Sequence, residues 1–251
     1  MNLLQVVGVS RAFGGLRAVE NVSLDVPAGS LTALIGPNGA GKTTLFALMS
    51  GFLTPDSGQI FFNGTDITGS APHLNTKLGL TRTFQIVQPF ASQTVRENIA
   101  VGAHLKCVRR EDALDLAEVV ANRVGLFIQL DKPASELTVA GRKRLELARA
   151  LATQPRMLLL DEVLAGLNPH EIQDMLPVVR GLVDSGITIL MIEHVMQAVM
   201  NLAQHVWVLA QGQLIAQGTP MQVTQNSQVV EAYLGHGTSA RLLKSQQVMH
   251  G

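Results

Sequence analysis

The 251 residues predict an α/β fold with a core of mostly parallel strands, an added antiparallel β layer and a helical subdomain. Three observations predict it. Residues 157–160 and 187–192 are apolar runs of the length and composition of parallel strands buried on both faces. The stretch Gly36-Pro37-Asn38-Gly39-Ala40-Gly41-Lys42-Thr43-Thr44 sits between an apolar run, residues 31–35, and the helix-periodic Leu45, Leu48 and Met49. The first thirty residues alternate apolar and polar positions, as antiparallel strands do.

The elements follow in order. Leu4, Val6 and Val7, then Val22, Leu24 and Val26, mark two strands with turn signals at Gly14-Gly15 and Pro27-Ala28-Gly29. After the glycine-rich loop and its helix, residues 58–69 read as a strand and a turn centred on Asn63-Gly64. From about residue 89 to 155 strand signals vanish and helical periodicity dominates at 113–124 and 145–152, a helical subdomain within one domain of residues 1–235. The run 157–160 leads to a helix with Asn168 as cap and Pro169 in the first helical position. After the run 187–192 come a helix following His194, a strand pair at 206–209 and 214–216 turning at Gln211-Gly212, and a short helix at 229–234 that ends at Gly235. The polar residues 236–251 are expected to be partly disordered.

Composition narrows the function. Nineteen basic and nineteen acidic residues cancel, and no basic block exceeds Arg142-Lys143-Arg144, so the footprint of a nucleic-acid partner is missing. Charged residues make up 15%, against roughly 25% in ordinary soluble domains, which suggests surface covered by partners. A single cysteine, Cys107, excludes an internal disulfide and fits a reducing compartment. The first residues do not read as a signal peptide, and the longest apolar runs fall far short of the ~20 residues that span a bilayer, so a cytoplasmic chain is expected.

The loop carries the chemistry. Glycines let backbone N–H groups close around phosphate oxygens, and the following helix aims its N-terminal dipole at the same anion. Gly36, Pro37, Asn38, Gly39, Ala40, Gly41, Lys42, Thr43 and Thr44 are therefore expected to bind a nucleoside triphosphate, with Lys42 on the β- and γ-phosphates and Thr43 on Mg²⁺. Asp161-Glu162 ends the run 157–160, where ligands sit in open α/β sheets. Asp161 is expected to hold Mg²⁺ through water, and Glu162 to orient or deprotonate the attacking water.

With Gln85 in Arg82-Thr83-Phe84-Gln85, Leu137-Thr138-Val139-Ala140-Gly141 ahead of Arg149-Ala150-Leu151, Ala165-Gly166-Leu167-Asn168 and His194, these motifs occur in the order of an ABC-transporter ATPase. The chain resembles that family from about residue 4 to 235. The resemblance implies that Gln85 contacts Mg²⁺ and the water, that His194 contacts the γ-phosphate, and that Phe13 stacks on adenine unless it is a core residue. Thr138, Ala140 and Gly141 would contact the ATP of a second ATPase chain, with Asn168 between the chains. Two departures stand out: the signature segment commonly reads L-S-G-G-Q, and Val163 stands where a proline usually follows the glutamate. Locally, the segment also reads as the start of an amphipathic helix with Arg142 and Lys143 as solvated charge.

Arg11-Ala12-Phe13-Gly14-Gly15, Thr94-Val95-Arg96-Glu97-Asn98, Ala165-Gly166-Leu167-Asn168-Pro169 and Glu231-Ala232-Tyr233-Leu234-Gly235 look like the ATPases of bacterial branched-chain and hydrophobic amino-acid importers. This implies ATP and Mg²⁺ as cofactors, a second ATPase subunit and two permeases as partners, indirectly a periplasmic binding protein, and a place on the inner face of the cell membrane. A lipopolysaccharide-export ATPase is closely similar. A soluble ABC protein of DNA repair or translation would need a second cassette, a coiled-coil insertion or zinc cysteines.

Overall fold

The structure, a computed structural model, describes residues 1–84 and 88–234. β1 (Asn2–Phe13) and β2 (Leu16–Pro27) form a long antiparallel hairpin. β3 (Leu31–Ile35) leads through the glycine-rich loop into α1 (Lys42–Ser50). β4 (Ser57–Phe62) and β5 (Thr65–Asp66) turn at Asn63 and Gly64, both at positive φ. Then come α2 (Pro72–Leu78), β6 (Leu80–Arg82), α3 (Val95–Ala103), α4 (Arg110–Val124) and α5 (Val139–Ala152). The last part holds β7 (Met157–Asp161), α6 (Pro169–Asp184), β8 (Thr188–Ile192), α7 (Met196–Leu202), β9 (His205–Ala210), β10 (Gln213–Gly218), α8 (Pro220–Thr224) and α9 (Ser227–Leu234).

Two sheets result. One is antiparallel in the order β2-β1-β4-β5; the other runs β10-β9-β3-β8-β7-β6 and is parallel from β9 to β6. Its central strands are buried on both faces, which is why they read as unbroken apolar runs. Their side chains alternate between two cores: Leu34, Leu159, Leu190 and Ile192 join Phe46 and Met49 of α1 and the inner face of the antiparallel sheet. Ala33, Leu158, Leu160, Ile189 and Met191 pack instead with α3–α6. α1 is therefore clamped between the sheets, and its first turn is fixed relative to the carboxyl ends of β7 and β8.

The sequence pattern gives no warning of α2 or β6, and β6 pairs in parallel with β7 through three residues, too few to show a period. The helices between residues 95 and 152 agree with the loss of strand signals there. Gly235, the tail 236–251 and Gln85 lie outside the described residues.

Candidate nucleotide-binding site

The phosphate loop depends on glycine at two crowded points. At Gly36 (φ 154°) a Cβ would lie 2.0 Å from the Leu209 carbonyl oxygen, and at Gly41 (φ 102°) 2.2 Å from that of Ala18. Gly41 caps α1, whose first turn has no acidic side chain to compete for its N–H groups. Lys42 is buried at 7% exposure, its Nζ donating to the carbonyls of Gly36 (2.7 Å) and Pro37 (2.9 Å) across the loop. Burial pulls its ammonium below the ordinary lysine range, and the carboxylates of Glu162 and Asp161 oppose that.

A cleft of about 520 Å³ opens over the loop. Asn38, Gly39, Ala40, Gly41, Lys42, Thr43 and Thr44 form its floor, Phe13 and Leu16-Arg17-Ala18 one wall, and Glu162 and Gln211 the rest. Phe13 is 44% exposed and so is not a core residue; the Arg11 guanidinium lies 5.1 Å from its ring centre. A second cavity shares Thr43 in its lining and is otherwise lined by Arg82, Phe84, Gln88, Glu146, Arg149 and Asp161.

Asp161 and Ile192 are register partners at the carboxyl edge of the sheet, so the chain segments after them emerge side by side. Glu162 N donates to Ile192 O at 3.0 Å, and His194 Nδ1 stands 3.3 Å from Glu162 Oε1. Asp161 is 2% exposed and its Oδ2 accepts from Arg82 Nη2 at 2.7 Å, an ion pair made by β6 and β7 that sequence reading does not foresee. Arg82 also lies within 6 Å of the ring centres of Phe46, Phe52 and Phe84.

Other expected residues stand apart. Thr138 caps α5, its Oγ1 accepting from Gly141 N at 3.1 Å, and Thr138, Ala140 and Gly141 line neither cavity. A Cβ on Gly141 would touch Leu137 Cβ at 3.3 Å, so the glycine suits the tight start of this helix. Asn168 forms a reciprocal capping box with Glu171 at the start of α6, as its position before Pro169 suggests. Gln85 lies outside the described residues. The reading of Lys143 as solvated charge is corrected: it is 8% exposed and its Nζ donates to Glu162 O at 3.0 Å.

Strand, loop and helix, with the carboxylates facing them, define a P-loop nucleotide-binding protein. The ABC transporter family profile matches residues 19–165, and a profile described as branched-chain amino acid ATP-binding cassette transporter matches residues 213–238. The high-affinity branched-chain amino acid transport ATP-binding protein LivG of Escherichia coli K12 is 39% identical over 249 residues, covering 93% of this chain and 98% of its own. The corresponding protein BraF of Pseudomonas aeruginosa is 38% identical over the same shares. A nucleotide-free ATP-binding cassette from an ABC transporter superposes with a TM-score of 0.87 at 34% identity, covering 94% of this chain and all of that one. A cassette in its ADP conformation gives 0.86 at 34% identity, with the same shares covered. The chain belongs to the ATP-binding cassettes of the ABC transporter family, ATPases coupled to transport.

Proposed function

We propose that this chain binds ATP with Mg²⁺ and hydrolyses it to power a membrane importer of branched-chain or other hydrophobic amino acids. The observation that carries the ATPase reading is the convergence of Lys42, Thr43 and Glu162 on one cleft. Likeness to LivG and BraF, extending into the C-terminal match, carries the importer reading.

In this reading the loop amides and Lys42 hold the phosphates, and Phe13 offers its ring to the adenine. Glu162 takes the proton of a water whose oxygen bonds to the γ-phosphorus. The bond from that phosphorus to the bridging oxygen breaks, and its electrons leave with ADP. His194 supports Glu162 and meets the γ-phosphate, and Gln85 helps place the water. The Thr43 hydroxyl and the Asp161 carboxylate line one cavity and suit Mg²⁺, with Gln85 as a further contact. The ion neutralises phosphate charge when bound. Among the described residues no group of three His, Cys, Asp or Glu could hold a metal, as fits an ion held largely by phosphate and water oxygens.

Thr138, Ala140 and Gly141 line neither cavity of their own chain, which supports a second ATPase subunit whose ATP they would contact, with Asn168 between the two. Residues 1–235 would act as one domain, with a helical subdomain at about 89–155. Exposed Phe52, Phe84 and Phe90, beside Arg82 and Arg149, support docking of two permeases, which a periplasmic binding protein would feed. Among the described residues no helix is long and apolar enough to cross a membrane, which fits a peripheral subunit on the inner face.

The test is affinity capture of Glu162→Gln from membranes with ATP, followed by mass spectrometry. Two permeases and a second ATPase are the expected companions. Ribosomes or DNA-repair proteins would contradict the importer, and lipopolysaccharide-export permeases would redirect it.

A further inference from the structure

We propose that Lys143 and Glu193 are positioning residues that lock the backbone around Glu162 and so tie the helix bearing the signature segment to the hydrolytic carboxylate of the same chain. The inference rests on Glu162 being the group that activates water.

Glu162 has φ 51°, a left-handed conformation that costs a side-chain-bearing residue roughly 1–2 kcal/mol and persists only where neighbours impose it. The neighbours are identifiable. Its N–H is fixed by Ile192 O, and its carbonyl accepts both from Ala165 N at 3.1 Å and from Lys143 Nζ at 3.0 Å. Two residues on, Leu164 N donates to Glu193 Oε1 at 3.0 Å. The turn that aims Glu162 is thus held by a cation from α5 and a carboxylate from the end of β8.

Both groups are costly where they stand. Lys143 is 8% exposed and Glu193 1%, and Glu193 Oε2 is buried without a hydrogen-bond partner. Burial pulls the Lys143 ammonium down, and Glu193, Glu162, Asp161 and Glu146 oppose it, so the lysine is the counter-charge to a crowd of carboxylates. Apolar residues would fill the same volume without desolvating a charge. The arrangement makes sense when the left-handed turn is what needs holding.

The placement also links two sites. Lys143 lies about one and a half helical turns along α5 from Thr138, whose segment does not line its own cleft. A shift of α5 on meeting a partner's nucleotide would move Lys143, and with it the Glu162 carbonyl.

The test uses the purified full chain and four variants: Lys143→Met, Lys143→Arg, Glu193→Leu and the Lys143→Met/Glu193→Leu double. ATP Kd, kcat and KM are measured for each, with melts to exclude unfolded protein. Lys143→Met and Glu193→Leu are each expected to lower kcat about tenfold with Kd within about twofold of the parent. Lys143→Arg should recover most of kcat, and the double variant should fall no more than about threefold below the worse single. Parental kcat in Lys143→Met would overturn the proposal, as would ATP affinity falling in step with kcat, or full additivity in the double. If Glu193→Leu does not fold, the two Lys143 variants decide alone. A parent that hydrolyses no ATP would instead overturn the functional reading on which this rests.

Discussion

Single residues here take their chemistry from what surrounds them. Lys42, Thr43, Asp161 and Glu162 are candidates that residue type and order mark in the sequence, and His194 is one that only the family resemblance marks. Their partners are not, since Arg82 meets Asp161 across 79 positions of chain. Lys143 looks like one more charge in a basic triplet, and nothing in its neighbours announces that α5 buries it. Glu193 beside His194 is equally silent, yet burial, the largest influence, pushes its carboxyl from 4.5 up to about 7. The sign follows directly. Between those values the unfolded chain has released the proton that the folded chain still holds, so this group's contribution to stability falls as pH rises from about 4.5 to 7 and is level above. Glu193→Gln should remove that slope, gaining on the parent by up to about 3 kcal/mol between pH 5 and pH 8 in denaturant titrations. Parallel curves for the two proteins would show that Glu193 does not titrate this way.

At the scale of elements, start signals are reliable and short pieces are not. Asn168-Pro169 predicts the beginning of α6, and the structure adds the reciprocal bonds between Asn168 and Glu171. Asn168→Ala should lower stability by about 1 kcal/mol while Asn168→Asp stays within a few tenths, read as shifts in the urea midpoint. An unchanged midpoint for Asn168→Ala would mean that Pro169 and packing alone fix the helix start. α3 has the same kind of cap in Thr94 and Glu97, so its start is also written in the sequence. β6 is the opposite case. Three residues carry no periodicity, and the strand is recognisable only once β7 lies beside it to supply hydrogen bonds. Because β6 presents Arg82 to Asp161, missing the strand and missing the ion pair are one omission.

Across the whole molecule, the alternation of central-strand side chains between two cores explains how one short helix can be aimed so closely. α1 and the ends of β7 and β8 are anchored in the same packed interior, which fixes the backbone that carries Lys42, Glu162 and His194. Low charge and exposed aromatics near Arg82 belong to this scale as well, as surface that the proposed partner subunits would cover. The central claim is that this fold assembles an ATPase whose water-activating group is Glu162. It is tested most directly by phosphate release from saturating ATP, comparing the purified parent with Glu162→Gln and measuring ATP binding in parallel. The account predicts release from the parent, ATP bound with little change in affinity by the variant, and release from the variant reduced about a hundredfold or more. Equal release from both proteins would contradict it.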